Sequence, residues 1–318
     1  MVAGTETMNQ SKDLLLKSLR AVLFGEKLEA SDFAEADWKS IFQLADEQTV
    51  SALLLDGMSL LPSECIAIPL GDKLKRIATM QHIEQTNCLH RKVIAKIDQT
   101  LKSEGIPIVF MKGQTTALRY PNPLHRTPGD IDFVVNPKDF KKTMEVLEKI
   151  GKVDHDLVHE HHGMAWVDGV TVEPHYKVHN YQCPSTDHAM QEMFASVFPS
   201  ELSSADMDGY AVPVFPPTFE SVFLISHMVN HVYEEGLGLR QVIDYAMFLS
   251  SCADKIDWLQ HHEYLHQIHM ERAWRIFTCI CVDYLGMPLP SQVEPFSHQE
   301  KVWAEMMMTD IMRVGNFG

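Results

Sequence analysis

The segment RTPGDIDFVV, from Arg126 to Val135, places two aspartates two residues apart at the mouth of an apolar run. In a strand, residues i and i+2 project from the same face, so Asp130 and Asp132 share one face while Ile131 and Phe133 share the other. Paired carboxylates repel, and one takes up a proton unless a cation sits between them. A hard divalent ion resolves the conflict, with Mg²⁺ the expected ion and Mn²⁺ the alternative. A later segment, VTVEPHYKVH, offers Glu173 as a third carboxylate. Three carboxylates on neighbouring strands suit two such ions, which activate an attacking oxygen and stabilise a leaving one in phosphoryl or nucleotidyl transfer. The bland alternative is that Asp130 caps a turn and Asp132 lies at a solvated strand end, since the DxD triplet alone is common.

The residues upstream sharpen the reading. IPIVFM (106–111) is a short β-branched and aromatic run and reads as a buried strand. It leads into Lys112 and Gly113, and QTTALRYP follows as a short helix. A glycine there lets backbone approach a phosphate, and free N–H groups at a helix start can bind one. Lys112 and Arg126 add positive charge on either side. Lys112, Gly113, Gln114 and Arg126 are therefore the expected nucleotide-binding residues.

These residues need a scaffold, and the chain supplies one in three parts. Residues 1–100 read as an N-terminal helical region, with long amphipathic stretches that end at Gly105. Residues 101–210 alternate strand and helix, which is α/β punctuation. Within them, NPKDFKKTMEVLEKIG reads as a helix with Asn136 as cap, Pro137 at the first position and Gly151 at the end. Asp168-Gly169 reads as a two-residue hairpin turn. Alternation beyond it puts Thr171, Glu173 and His175 on one face and Val170 and Val172 on the other. VPVFPPT (212–218) reads as a linker. Residues 211–318 return to helix. The expected fold is α+β, a mixed β-sheet core flanked by N-terminal and C-terminal helical regions.

Two further constellations have ordinary alternatives. HDLVHEHHG (155–163) is expected as a surface or loop cluster of histidines, with His159 and His161 on one face if it is a strand. His227 and His231 are four apart on a helix and face one way. That is zinc-peptidase spacing, but Met228 stands where the general-base Glu would be, so a structural or cleft-lining role is expected. Arg240 and Asp244, also four apart, suit an intrahelical ion pair. A metal hydrolase built on His227, His231 and Asp244 would need a tightly held transition metal.

Residues 106–135 resemble the core of the nucleotidyltransferase β-fold superfamily, and more narrowly its uncharacterised nucleotidyltransferase family. The resemblance lies in Met111-Lys112-Gly113, Tyr120, Arg126 and Asp130-Ile131-Asp132, then Glu173 and His175, and spans roughly residues 36–250. HMVNHVYEEGLGLRQVIDY resembles that family's His-rich helix followed by Arg and Asp, here His227, His231, Arg240 and Asp244. The resemblance implies that His175, His227, His231, Arg240 and Asp244 stand at or behind the acceptor site. Gly113-Gln114 departs from the Gly-Ser or Gly-Gly usual in the superfamily.

The bulk numbers bound the partners. Net charge is −16, from 43 acidic and 27 basic residues, and no basic stripe marks a nucleic-acid surface. No apolar run of ~18 residues predicts a membrane span. The N-terminal MVAGTETMNQSKD lacks a signal-peptide core. The six cysteines form no CxxC pair and are expected as free thiols in a reducing cytoplasm. No P-loop or GxSxG occurs. The expectation is a cytoplasmic, Mg²⁺-dependent enzyme that moves an NMP from an NTP such as ATP to a small molecule, sugar or protein side chain. Asp130 and Asp132 would bind metal, and Glu173 would be a ligand or base. The alternative is a catalytically silent module of the same fold that binds a nucleotide or a partner.

Overall fold

Helix signals dominate both ends of the chain, and the strands fall between them. In the computed structural model, residues 2–155, 161–234 and 236–315 are described. The first part forms α1 (Val2–Phe24), α2 (Trp38–Glu47), α3 (Ser51–Ser59) and α4 (Leu70–Ser103). Asp37 caps α2 by accepting from the Ser40 N–H at 3.3 Å. α4 stops just before Gly105, whose φ of 71° only glycine adopts freely.

The middle part forms β1 (Ile108–Met111), α5 (Gln114–Ala117), β2 (Ile131–Val135), α6 (Phe140–Glu148), β3 (Lys152–Asp154), β4 (Met164–Val167), β5 (Val170–His175), α7 (Pro184–Val197), β6 (Ser203–Met207) and β7 (Tyr210–Val214). The strands make one mixed sheet in the order β3-β4-β5-β2-β1-β7-β6. β2 runs antiparallel to β1 and parallel to β5. Then come α8 (Pro217–Glu234), α9 (Leu239–Cys252), α10 (Trp258–Gln267), α11 (Glu271–Asp283) and α12 (His298–Val314). The fold is α+β, as the sequence predicts.

The strand period sorts side chains into two cores. Ile108, Phe110, Ile131, Phe133, Val170 and Val172 bury on one face, under α4 and α6. Val109, Met111 and Val134 bury on the other, in a larger core shared with both helical regions. Those regions, separate in sequence, are continuous in space. Gln48 joins them, donating to the Ile311 carbonyl at 2.8 Å and accepting from the Leu239 N–H at 2.8 Å.

Three local readings change. The segment 212–218 is not a plain linker, because Val212, Pro213 and Val214 belong to β7, which pairs with β1 in parallel. Its turn signal is Asp208-Gly209, with φ of 55° and 84°, a two-residue hairpin like Asp168-Gly169 at 51° and 83°. Asn136 does cap, accepting from the Lys138 N–H at 3.1 Å, but Pro137 opens a 3₁₀ turn and α6 starts at Phe140. Gly151 is not a left-handed helix terminus. A Cβ there would lie 2.2 Å from the Trp166 carbonyl oxygen, so close approach to β4 requires the glycine. Among the described residues no helix is long and apolar enough to cross a membrane, and the cysteines form no disulfide. His159 lies outside the described residues.

Candidate active site

The end of β1 sets the geometry. Lys112 and Gly113 have φ of 43° and 58°, so the chain turns sharply through two left-handed residues. A Cβ on Gly113 would lie 3.7 Å from the Asp130 carbonyl oxygen, so the turn passes close to the entrance of β2.

Register then assembles the carboxylates. Asp132 stands beside Glu173 and Val134 beside His175 in the parallel pair of β2 with β5. Asp130 lies one residue before β2. Lys112 Nζ is 3.1 Å from Asp132 Oδ2, and His175 Nε2 is 3.1 Å from Asp132 Oδ1. These two partners explain how a carboxylate only 3% exposed is tolerated. Burial pushes the Asp132 carboxyl up, but Lys112 and His175 outweigh it and hold it well below the usual range. Glu173 goes the other way. Burial, with Asp132 and Asp130 beside it, pushes its pKa up to about 8. Burial pushes the Lys112 ammonium down, and the three carboxylates more than reverse that. The three carboxylates outnumber Lys112, and burial with the repulsion of Asp132 and Asp130 keeps Glu173 protonated. Asp130, Asp132 and Glu173 fit a divalent ion on hard oxygen donors.

Arg126 is committed elsewhere. Its Nε and Nη2 donate to Asp244 Oδ1 and Oδ2, each at 2.8 Å, and Tyr120 Oη donates to Oδ1 at 2.7 Å. The expected Arg240–Asp244 intrahelical pair does not form; both Asp244 oxygens are engaged by Arg126 and Tyr120 instead. Arg240 instead donates from Nη1 to the Thr127 carbonyl at 3.3 Å, and its Nε is buried without a hydrogen-bond partner. Burial and neighbouring Arg126 push its pKa down, while Asp244, Tyr120 and Asp130 oppose this. Arg240 is the cation beside the aspartate loop that lacks a carboxylate partner among the described residues. Gln114 is also spent: its side chain donates to Asn87 Oδ1 and accepts from Arg91 Nε at 3.5 Å, so it faces α4.

The histidines line the other side. His227 and His231 put their Nε2 atoms 3.1 Å apart. His179 stacks on His227 with ring centroids 5.9 Å apart. Burial, then Lys112, lowers all three, with His179 at about 3 and His231 at about 4. Asp244 is held by Arg126, so it does not complete a metal set with His227 and His231. Sequence reasoning missed His179, and it missed the approach of His161 and His162 to His175. The only available signal was that the histidine run ending in His161-His162 could pair with the strand carrying Glu173-Pro174-His175.

These buried neutral histidines predict acid lability. His261, with no exposed surface, joins them at about 3 because of its burial. An unfolded histidine titrates near ~6.5, so as pH falls the unfolded chain takes up protons that the folded chain refuses. The stability is therefore complete above that value and drains toward about 4 and then about 3. Glu173 acts in the opposite sense, losing its contribution as pH rises toward about 8, but it is one group against several. Urea midpoints should fall steadily between about pH 6.5 and pH 5. A flat profile there would show that these rings gain protons without unfolding.

Among solved structures, the chain is similar to the antibiotic-resistance factor ANT(2″)-Ia in solution, with TM-score 0.40 and 14% identity over 58% of this chain and 96% of that one. It is similar to the crystal structure of ANT(2″)-Ia in complex with adenylyl-2″-tobramycin, with TM-score 0.40 and 13% identity over 56% and 98%. An antigenic nucleotidyltransferase-like protein from Paracoccidioides brasiliensis gives TM-score 0.35 and 14% identity over 58% and 91%. No curated protein matches the chain at comparable significance. Residues 34–286 match the uncharacterised nucleotidyltransferase family NTP_transf_5, and the chain belongs to that family.

Proposed function

We propose that the protein transfers a nucleoside monophosphate from an NTP to a hydroxyl or amine of an acceptor, with Mg²⁺ held by Asp130, Asp132 and Glu173. The observation that carries this reading is the side-by-side register of Asp132 and Glu173, with Asp130 at the strand entrance. Bound divalent ions would supply charge neutralisation for the attacking and leaving oxygens. The chain's own groups divide the remaining work. A bound divalent ion would draw off the proton that Glu173 otherwise holds, and the freed carboxylate would serve as metal ligand or as base for the acceptor. His175, hydrogen-bonded to Asp132, orients that carboxylate. Arg240 is the cation available for the triphosphate, while Arg126 braces the loop through Asp244. Lys112 screens Asp132 and would turn toward phosphate when a metal replaces it. His227 and His231 line the acceptor side. The acceptor is open among small molecules, sugars and protein side chains, and the acidic surface disfavours nucleic acid.

The binding-only alternative draws on Gln114, whose bulk fills a position beside Gly113 and faces α4. Calorimetric titration of non-hydrolysable NTP analogues, with and without Mg²⁺, tests both readings. Mg²⁺-dependent binding, lost in Asp130→Ala/Asp132→Ala, is expected. Binding that ignores Mg²⁺ and survives the double substitution would sink the metal–nucleotide site. Mg²⁺-dependent binding without pyrophosphate release on any acceptor would favour the silent module.

A further inference from the structure

We infer that the cleft also carries a second kind of metal site, a nitrogen-rich one for a borderline transition ion of the Zn²⁺ class, built from His161, His162 and His175 with Glu173 beside them. The ligand atoms of the three histidines all lie within 4.8 Å of one another. His162 Nε2 is 3.7 Å from Glu173 Oε2. Ligands on one tetrahedral zinc, with bonds of about 2.0–2.1 Å, stand roughly 3.4 Å apart. A small inward movement of these side chains therefore closes the set around an ion.

The backbone holds these imidazoles together. His162 and His175 face each other across an antiparallel bridge that extends the β4–β5 hairpin. The bridge is flanked by Gly163 N–H donating to the Pro174 carbonyl at 2.9 Å and Tyr176 N–H donating to the His161 carbonyl at 2.9 Å. The state of His175 also suits a ligand. Asp132 engages its Nε2 at 3.1 Å, while its Nδ1 is buried without a hydrogen-bond partner. Metal-bound histidines characteristically have one ring nitrogen held by a carboxylate and the other on the metal. His162 and Glu173 keep 13% and 19% of their side-chain surface exposed, which leaves a way in.

Donor chemistry separates this site from the aspartate one. Mg²⁺ prefers the oxygen donors of Asp130, Asp132 and Glu173, whereas imidazole nitrogens select zinc-like ions, and Glu173 stands between the two sets. The inference rests on the donor geometry and does not require the transfer reaction.

The test is titration of Co²⁺ into untagged, chelator-treated protein in excess Mg²⁺, read by visible absorption and metal analysis. One Co²⁺ per chain with nitrogen-ligand bands, displaced by Zn²⁺, is expected. His162→Gln should weaken it by at least about tenfold with the circular dichroism unchanged. Asp130→Asn should leave it in place. Failure to retain Co²⁺ against Mg²⁺, or equal retention by His161→Gln/His162→Gln, overturns the inference and leaves the rings as a packing cluster. Nucleotide titration of the same samples keeps the two readings apart. Intact Mg²⁺-dependent nucleotide binding without Co²⁺ binding removes only the nitrogen site. The converse removes only the transfer reading.

Discussion

Asp132→Asn is expected to lower nucleotidyl transfer by on the order of 10³-fold, several kcal/mol of metal-centred charge stabilisation. The same change should destabilise the fold, and the two effects have different causes. Asn keeps the size of Asp132 but removes the charge that faces Lys112 at 3.1 Å. Asp130 and Glu173 stay beside that ammonium, so the cost is that of losing its nearest charged partner rather than every counter-ion, roughly 1–3 kcal/mol. Removing both charges avoids this penalty, so Lys112→Met/Asp132→Asn should recover most of the stability and none of the transfer. Urea unfolding and pyrophosphate release, measured on the wild type, both single variants and the double variant, separate the effects. If the double variant regains transfer, Asp132 is a structural counter-ion and the metal assignment falls. Loss of the Asp132 charge should also bring Glu173 down from its raised pKa, because Asp132 is the largest charge holding it there.

The sequence exposed what depends on local period and hid what depends on distant pairing. Strand alternation alone put Asp132 on the face opposite Ile131 and Phe133, and put Glu173 and His175 together two residues apart. Both statements hold in the sheet, where those residues meet in parallel register. Nothing local revealed that Lys112 would reach Asp132, since that contact follows from a left-handed turn at Lys112 and Gly113. β7 was masked by its prolines. Pro213 lies inside the strand and Pro217 opens α8, so the segment carries the composition of a linker while lying against β1. Spacing also misled at Arg240 and Asp244. Two residues four apart on a helix can pair, but the pairing goes to whichever cation the tertiary fold brings closest. That cation is Arg126, 118 residues earlier in the chain.

That long-range pair carries the largest expected stability effect. Asp244→Ala should destabilise the protein by ~3–5 kcal/mol, because it leaves the Arg126 guanidinium buried without a counter-ion. Arg126 and Asp244 are both about nineteen-twentieths buried, with 6% side-chain exposure each. Tyr120 loses its acceptor in the same substitution, and buried polar groups left unmade add to the cost. Arg240 sits close enough to disfavour a second uncompensated cation. The interaction ties α9 to the loop that delivers Asp130 and Asp132, so the loss should spread to the site as weaker nucleotide binding. A double-mutant cycle with Arg126→Met isolates the pair, and a coupling of more than ~1 kcal/mol is expected for groups in one buried network. The opposite pattern has a definite meaning. If Asp244→Ala leaves stability unchanged and tightens nucleotide binding, Arg126 is a phosphate ligand that Asp244 restrains, and the bracing role assigned to it is wrong.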